Sequence, residues 1–335
     1  MRKAKHFLLA AMLIGSACLS LAGCGPKAKA ADLKPVTLNE VAHSIFYAPQ
    51  YAAIELGYFK DEGIDLTLVN GAGADKVMTA LISGDADIGF MGSEASIYTY
   101  ANGAEDHAVN FAQLTQRAGN FLVGREKQPD FTWTDLRGKK VLGGRAGGMP
   151  EMVFEYILKK NGIDPVTDLT IDQSISFGLT AAAFTSNDAD YTVEFEPFAT
   201  KLEKEGNGYV VASLGIDSGY VPYTAYSAKK SYMEKNPETI QKFTNAIQKG
   251  LEYVNSHSSE EIAKVIQPQF KETDAATIAA IVDRYKAQDT WKGDTIFEKD
   301  SFELLENILE ESGELKERVP YEELVTTTYS EKAAK

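Results

Sequence analysis

The sequence predicts an α/β protein of two lobes, each a small parallel sheet covered by helices. Three observations carry this. The segment from Gly63 to Glu94 (GIDLTLVNGAGADKVMTALISGDADIGFMGSE) has a second copy from Gly162 to Glu196 (GIDPVTDLTIDQSISFGLTAAAFTSNDADYTVEFE), once Pro165 to Asp168 are allowed as an insertion. In both copies Gly-Ile-Asp leads to Leu-Thr, then to a small-residue helical stretch, then to Asp-Ala-Asp and a strand-like run ending in acids. Each copy, with the helical residues before it, reads as strand and helix in alternation, the pattern of a parallel sheet with helices on its faces. The length, 335 residues, is also more than one core usually fills. In an open parallel sheet the loops beyond the carboxyl ends of the strands form the binding crevice. Two such lobes face to face would therefore hold a ligand from both sides, as a hinged binding protein does.

The chain opens with Met1-Arg2-Lys3-Ala4-Lys5, runs apolar from Phe7 to about Leu19, and reaches Leu21-Ala22-Gly23-Cys24. A basic start, a short apolar core and a small-residue cleavage site predict a secretory signal over 1–23. The apolar run is too short to span a bilayer, which takes about 20 residues. Leu-Ala-Gly-Cys resembles the lipobox of bacterial lipoproteins, which implies a lipidated Cys24 as the first mature residue. Two acyl chains give stable anchoring where one is marginal. The only cysteines are Cys18 and Cys24, so the mature chain is expected to form no internal disulfide and no thiolate metal site. The net charge is −14, and cleavage would make it more negative by removing Arg2, Lys3 and Lys5 but no acid. An acidic chain without a basic stripe argues against nucleic acid as a partner.

Residues 24–35 read as a solvated tether. Residues 36–118 with 224–320 are expected to form lobe 1, 119–223 lobe 2, and 321–335 a C-terminal tail. Val36–Val41 is the first strand and ends in a loop carrying His43, Phe46 and Tyr47, with Pro49 placed to begin a helix. Asp65–Val69 is the second strand. The Gly71-Ala-Gly-Ala-Asp75 turn after it has Lys76 where a dinucleotide fingerprint needs its third glycine, so it reads as a plain turn with Asp75 capping a helix. Ile88–Met91 is the third strand, and Ser93 and Glu94 open the next crevice loop, with Ser93 suited to an N-cap. The crossings between lobes fall near 116–121 and 219–223, the second carrying Tyr223. In lobe 2, Gly143-Gly-Arg145-Ala-Gly147-Gly-Met-Pro150 joins a strand to a helix. Its glycines let backbone approach a ligand, and the helix start offers N–H donors. Glu194 and Glu196 end the second copy. Beyond Pro237 an apolar stripe at Ile240, Phe243, Ile247, Leu251 and Val254 predicts a long helix. Further helices are expected near 260–266, 274–287 and 301–311, packed back on the first lobe.

Leu56-Gly-Tyr-Phe-Lys-Asp-Glu-Gly-Ile-Asp65, then Gly84-Asp-Ala-Asp-Ile-Gly89, resembles the ABC-transporter solute-binding proteins that take alkanesulfonates, taurine, nitrate and the pyrimidine precursor of thiamine. The resemblance runs from about Val36 to Leu304. It implies the type II periplasmic-binding-protein fold, with a hinge of two crossing strands, and a partnership with an ABC permease and its ATPase. Gly143 to Met152 and Phe195-Glu-Pro-Phe-Ala-Thr200 are more similar to the thiamine-pyrimidine branch than to the sulfonate branch. A fungal enzyme that makes this pyrimidine is similar in fold. It carries a cysteine-rich iron motif absent here, and His43 has no lysine neighbour, which argues against synthase activity.

The expected ligand contacts are His43, Phe46, Tyr47, Ser93 and Glu94 from lobe 1, Arg145, Gly147, Glu194 and Glu196 from lobe 2, and Tyr223 at the hinge. Aromatic rings suit a flat heteroaromatic solute, and three carboxylates suit amino groups or a cation. A small sulfonate would favour arginine and helix N-termini. Ser93 lies in no nucleophile elbow, and His6, His43, His107 and His257 are scattered, so no hydrolase pattern emerges. No cofactor or metal is implied. The reading is of a monomeric, lipid-anchored, extracytoplasmic solute binder. A membrane sensor of the same fold would read alike.

Overall fold

The computed structural model describes residues 33–175 and 178–335. The leader, Cys24 and most of the expected tether fall outside the described residues. The strands, in chain order, are β1 (Lys34–Glu40), β2 (Ile64–Asn70), β3 (Ile88–Gly92), β4 (Ala108–Thr115), β5 (Asn120–Gly124), β6 (Lys140–Leu142), β7 (Thr170–Asp172), β8 (Tyr191–Phe195), β9 (Tyr209–Ser213) and β10 (Thr224–Lys229). They form two five-stranded sheets, ordered β2-β1-β3-β10-β4 and β7-β6-β8-β5-β9.

The two orders are the same plan used twice. In the first sheet β1 lies parallel between β2 and β3; in the second β6 lies parallel between β7 and β8. The fourth strand of each sheet is the one that has just crossed from the other lobe, so it enters from the opposite end. That is why β10 runs antiparallel to β3 and β4, and β5 antiparallel to β8 and β9. The sheets are thus mixed where the sequence pattern suggested parallel ones. The central strands are buried along their whole length, IGFMG in β3 and YTVEF in β8, as expected of strands covered on both faces.

Helices fill those faces. Pro237–Ser256 turns Ile240, Phe243, Ile247, Leu251 and Val254 inward, all of them fully buried, each worth about 1.5–3 kcal/mol of apolar transfer. It lies on helix Ala48–Glu55 so closely that a Cβ at Gly250 would come within 2.2 Å of the Pro49 carbonyl oxygen. One expectation about the C-terminal helices is overturned. Helix Lys299–Ser312 packs on helix Met149–Lys160 of the second lobe, and Lys159 Nζ donates to the Glu311 carbonyl at 2.6 Å. An amphipathic helix shows that it has a partner but not which one. The segments flanking it are pinned to β4 of the first sheet, through Gln113 N–H to Thr295 O at 2.8 Å and Thr326 N–H to Asn110 O at 2.9 Å. This stretch therefore straps one lobe to the other.

The crossing segments are tightly held. A Cβ on Gly119, between β4 and β5, would meet the Phe46 ring at 2.5 Å, and Tyr285 Oη donates to the Gly119 carbonyl at 2.9 Å. Trp291 Nε1 donates to the Phe46 carbonyl at 2.8 Å. No helix of the described residues is long and apolar enough to cross a membrane.

Candidate functional site

The carboxyl ends of β1 and β3 in one lobe face those of β6 and β8 in the other across a cavity of about 910 Å³, its mouth included. The first lobe lines it with Tyr47 and Glu94, the second with Arg145, Thr180, Glu194 and Phe195, and the return crossing with Tyr223. Glu94 comes from the turn at the end of β3 and Glu194 and Phe195 from the end of β8, while Tyr47, Arg145, Thr180 and Tyr223 come from the segments that follow or precede other strands.

Two carboxylates dominate the chemistry. Glu94 is 3% exposed and its carboxylate folds back over Gly92, where a Cβ would meet Oε2 at 2.0 Å. That oxygen has no hydrogen-bond partner. Burial pushes the carboxyl up to about 7, against the pull of its own amide, the Met149 amide across the cleft and the Arg145 charge. Glu194 points inward from β8, and burial likewise raises it to about 7, opposed by hydrogen bonds from Thr192 and Thr180. The Thr192 hydroxyl donates at 2.6 Å. Buried carboxylates without a cation are costly, and a ligand carrying N–H donors or positive charge relieves that cost.

The walls between them are aromatic. Tyr47 is held edge-on to Phe90 at 4.5 Å between ring centroids, and Tyr223 donates its hydroxyl to Asn120 Oδ1 at 3.3 Å. Burial drives both hydroxyls well above their usual range. The glycine loop turns at Gly144 and Gly147, with φ of +88° and +71°, a region that side chains other than glycine rarely occupy. Gly147 donates its N–H to Glu151 Oε2 at 3.1 Å, and the Gly147 carbonyl accepts from Tyr98 Oη of the first lobe at 3.2 Å.

Of the residues expected at the site, Tyr47, Glu94, Arg145, Glu194 and Tyr223 line this cavity, and Gly147 lines an outer chamber beside it. The other expected contacts lie elsewhere. His43 gives one ring nitrogen to Glu40 at 2.8 Å and the other to the Gln269 carbonyl at 2.9 Å, and packs on Tyr51 and Phe270. Phe46 is fully buried behind the wall, against Tyr47, Phe195 and Tyr223. Ser93 holds the N-cap position of helix Glu94–Ala101, but its hydroxyl donates to the Pro222 carbonyl at 2.7 Å rather than capping. Glu196 pairs with Arg284 at 2.6 Å and accepts from Thr200. Asp75 does not cap: Gly73 holds that position, and Asp75 lies in the first helical turn. Thr180, Phe195 and Phe198 line the cavity unanticipated. Phe195 and Phe198 carried a signal, since they stand at and just beyond the end of β8 as Gly92 to Glu94 stand at and just beyond the end of β3. Among the described residues no group of three or more His, Cys, Asp or Glu could hold a metal ion.

Two α/β lobes, built on one strand order and enclosing a cavity, define the periplasmic-binding-protein fold. The alkanesulfonate-binding protein SsuA from Xanthomonas axonopodis pv. citri, solved with MOPS bound, shares it with a TM-score of 0.71, at 16% identity over 89% of this chain and all of that one (100%). The chain belongs to the NMT1/THI5-like family, whose model matches residues 45–261. It is 47% identical over 300 residues to the "Putative binding protein YtlA" of Bacillus subtilis (strain 168), spanning 90% of each. A more distant relative is the 4-amino-5-hydroxymethyl-2-methylpyrimidine phosphate synthase THI11 of Saccharomyces cerevisiae, 26% identical over 228 residues, which are 62% of this chain and 63% of the yeast enzyme.

Proposed function

We propose that this protein is the substrate-binding component of an ABC importer, and that its solute is a thiamine pyrimidine precursor or a related amino-bearing heteroaromatic. The observation that carries the reading is the pairing of Glu94 and Glu194 in one apolar, aromatic-walled cavity between the lobes. A flat ring fits between Tyr47, Phe195 and Tyr223, and its amino group and ring nitrogens have carboxyl partners on both sides. The solute is bound and released unaltered. It favours the closed arrangement because it touches both lobes. The closed pair of lobes is what a membrane permease, driven by its ATPase, would recognise. In this reading the protein is a monomer held on the extracytoplasmic face of the membrane by lipid on Cys24.

The family match and the similarity to the yeast pyrimidine synthase support the ligand class, and the similarity to a binding protein over nine-tenths of the chain supports the transport role. Synthase chemistry has less support, since cleavage at Cys24 leaves one cysteine. A sulfonate or nitrate ligand, suggested by the shared fold, would meet two carboxylates and one guanidinium in the cavity. Calorimetric titration tests the reading. An aminopyrimidine should bind tightly and taurine weakly, and the opposite ranking would overturn the ligand class while leaving the transport role standing.

A further inference from the structure

Beside the inner cavity, and sharing Ala74, Glu94 and Arg145 with it, lies an outer chamber of about 1100 Å³, mouth included. Four elements build it: helices Ala74–Ser83 and Glu94–Ala101 of the first lobe, the glycine loop of the second, and the turn after the strap helix Lys299–Ser312. From the last comes Glu314, whose carboxylate lies 3.4 Å from where a Gly147 Cβ would sit. Asp75 reaches the chamber from the first turn of helix Ala74–Ser83. Glu94 stands on the partition between the two spaces, and its Oε2 is buried without a partner. Arg145 faces Glu94 and offsets part of its charge. Among the described residues lining the chamber, Arg145 is the one cation, against the carboxylates of Glu94, Asp75 and Glu314. The Tyr98 hydroxyl, also on the wall, is held far above its usual range by burial first and then by Glu94, Glu314 and Glu151, with Arg145 opposing them; three carboxylates against one guanidinium leave the wall net acidic.

A chamber this size, contiguous with the ring site and negative at its rim, is not needed by a lone pyrimidine. We propose that it is a second subsite, which takes a positively charged substituent attached to the ring held in the inner cavity. The inference rests on the inner cavity binding an aminopyrimidine and extends it: the solute has two parts, a flat head and a cationic tail, and anionic tails are rejected. The C-terminal strap then has a purpose at the site, since it delivers Glu314.

The test uses the full chain and three probes in calorimetry: the hydroxymethyl aminopyrimidine, its phosphate ester, and thiamine, in which the same ring carries a cationic thiazolium. Thiamine should bind about tenfold more tightly than the hydroxymethyl compound and the phosphate ester more weakly than either, since a rim carboxylate is worth up to about fivefold and several act together. Glu314→Gln should narrow the ratio of thiamine to hydroxymethyl affinity by about threefold. High salt should narrow it too, because exposed charges are screened. Equal affinities for the three probes, or a ratio indifferent to Glu314→Gln and to salt, would overturn the second subsite while the ring site stands. If neither ring compound binds, the ring site itself falls, and the subsite with it.

Discussion

Replacing Glu194 by glutamine should strengthen the empty protein and weaken ligand binding together. In the folded chain this carboxyl is raised from 4.5 to about 7 by burial, while in the unfolded chain it titrates near its ordinary value. A group raised in this way contributes its full stability below the unfolded value, and that contribution is lost as pH climbs towards the folded one. At about 1.4 kcal/mol per tenfold, the gap amounts to roughly 3 kcal/mol of destabilisation above pH 7. Glutamine keeps an acceptor for the Thr192 hydroxyl and removes the charge. Glu194→Gln should therefore raise Tm at pH 8 by about 5 °C or more and change it little at pH 4.5. Losing a charged hydrogen bond to a bound aminopyrimidine costs about 1.5–3 kcal/mol, a fall in affinity of roughly ten- to a hundredfold. Thermal unfolding without ligand at the two pH values, followed by calorimetry with the aminopyrimidine, reads both effects. A Tm shift that is the same at pH 4.5 and pH 8 would refute the argument that burial strains this carboxylate.

Three other substitutions probe the surroundings. His43→Gln should lower stability by about 1–3 kcal/mol, because both ring nitrogens face acceptors, Glu40 and the Gln269 carbonyl, and Glu40 is fully buried. The Glu40 hydrogen bond raises the His43 value despite the opposing effect of burial, so the histidine's contribution is complete below about 6.5 and fades as pH rises through the raised value; chemical denaturation at pH 5.5 and pH 9 should show the wild-type advantage shrinking. Gly250→Ala should cost about 1–3 kcal/mol, measured by urea melts, since its Cβ would press on the Pro49 carbonyl at 2.2 Å. Glu196→Gln should weaken the contact with Arg284, lower Tm, and change ligand affinity less than Glu194→Gln does.

Much of the site's location was legible because the duplicated pattern marks strand ends, and strand ends of this fold converge. Glu94 and Glu194 follow from that rule. Which side chain of a loop turns into the cleft did not follow. His43 and Tyr47 share one loop, yet His43 turns back to the buried Glu40 at the end of β1 and Tyr47 turns to the cavity. Glu196 lies just past the last residue of β8, where alternation no longer fixes direction, and Arg284, distant in sequence, claims it. The strap helix was legible as a helix from Phe302, Leu305 and Leu309, but its seat on the second lobe is a tertiary choice with no local signature. The glycines of the 143–148 loop, by contrast, announced themselves, since Gly144 and Gly147 adopt backbone angles that few other residues tolerate.

A nitrogen-bearing ring held between Glu94 and Glu194 is the core of the proposed function. Purifying the protein from the cells that make it, releasing whatever is bound by denaturation, and weighing it by mass spectrometry tests this most directly. A small amino-substituted heteroaromatic is the expected mass. A sulfonate, or another anion without a basic nitrogen, would contradict it.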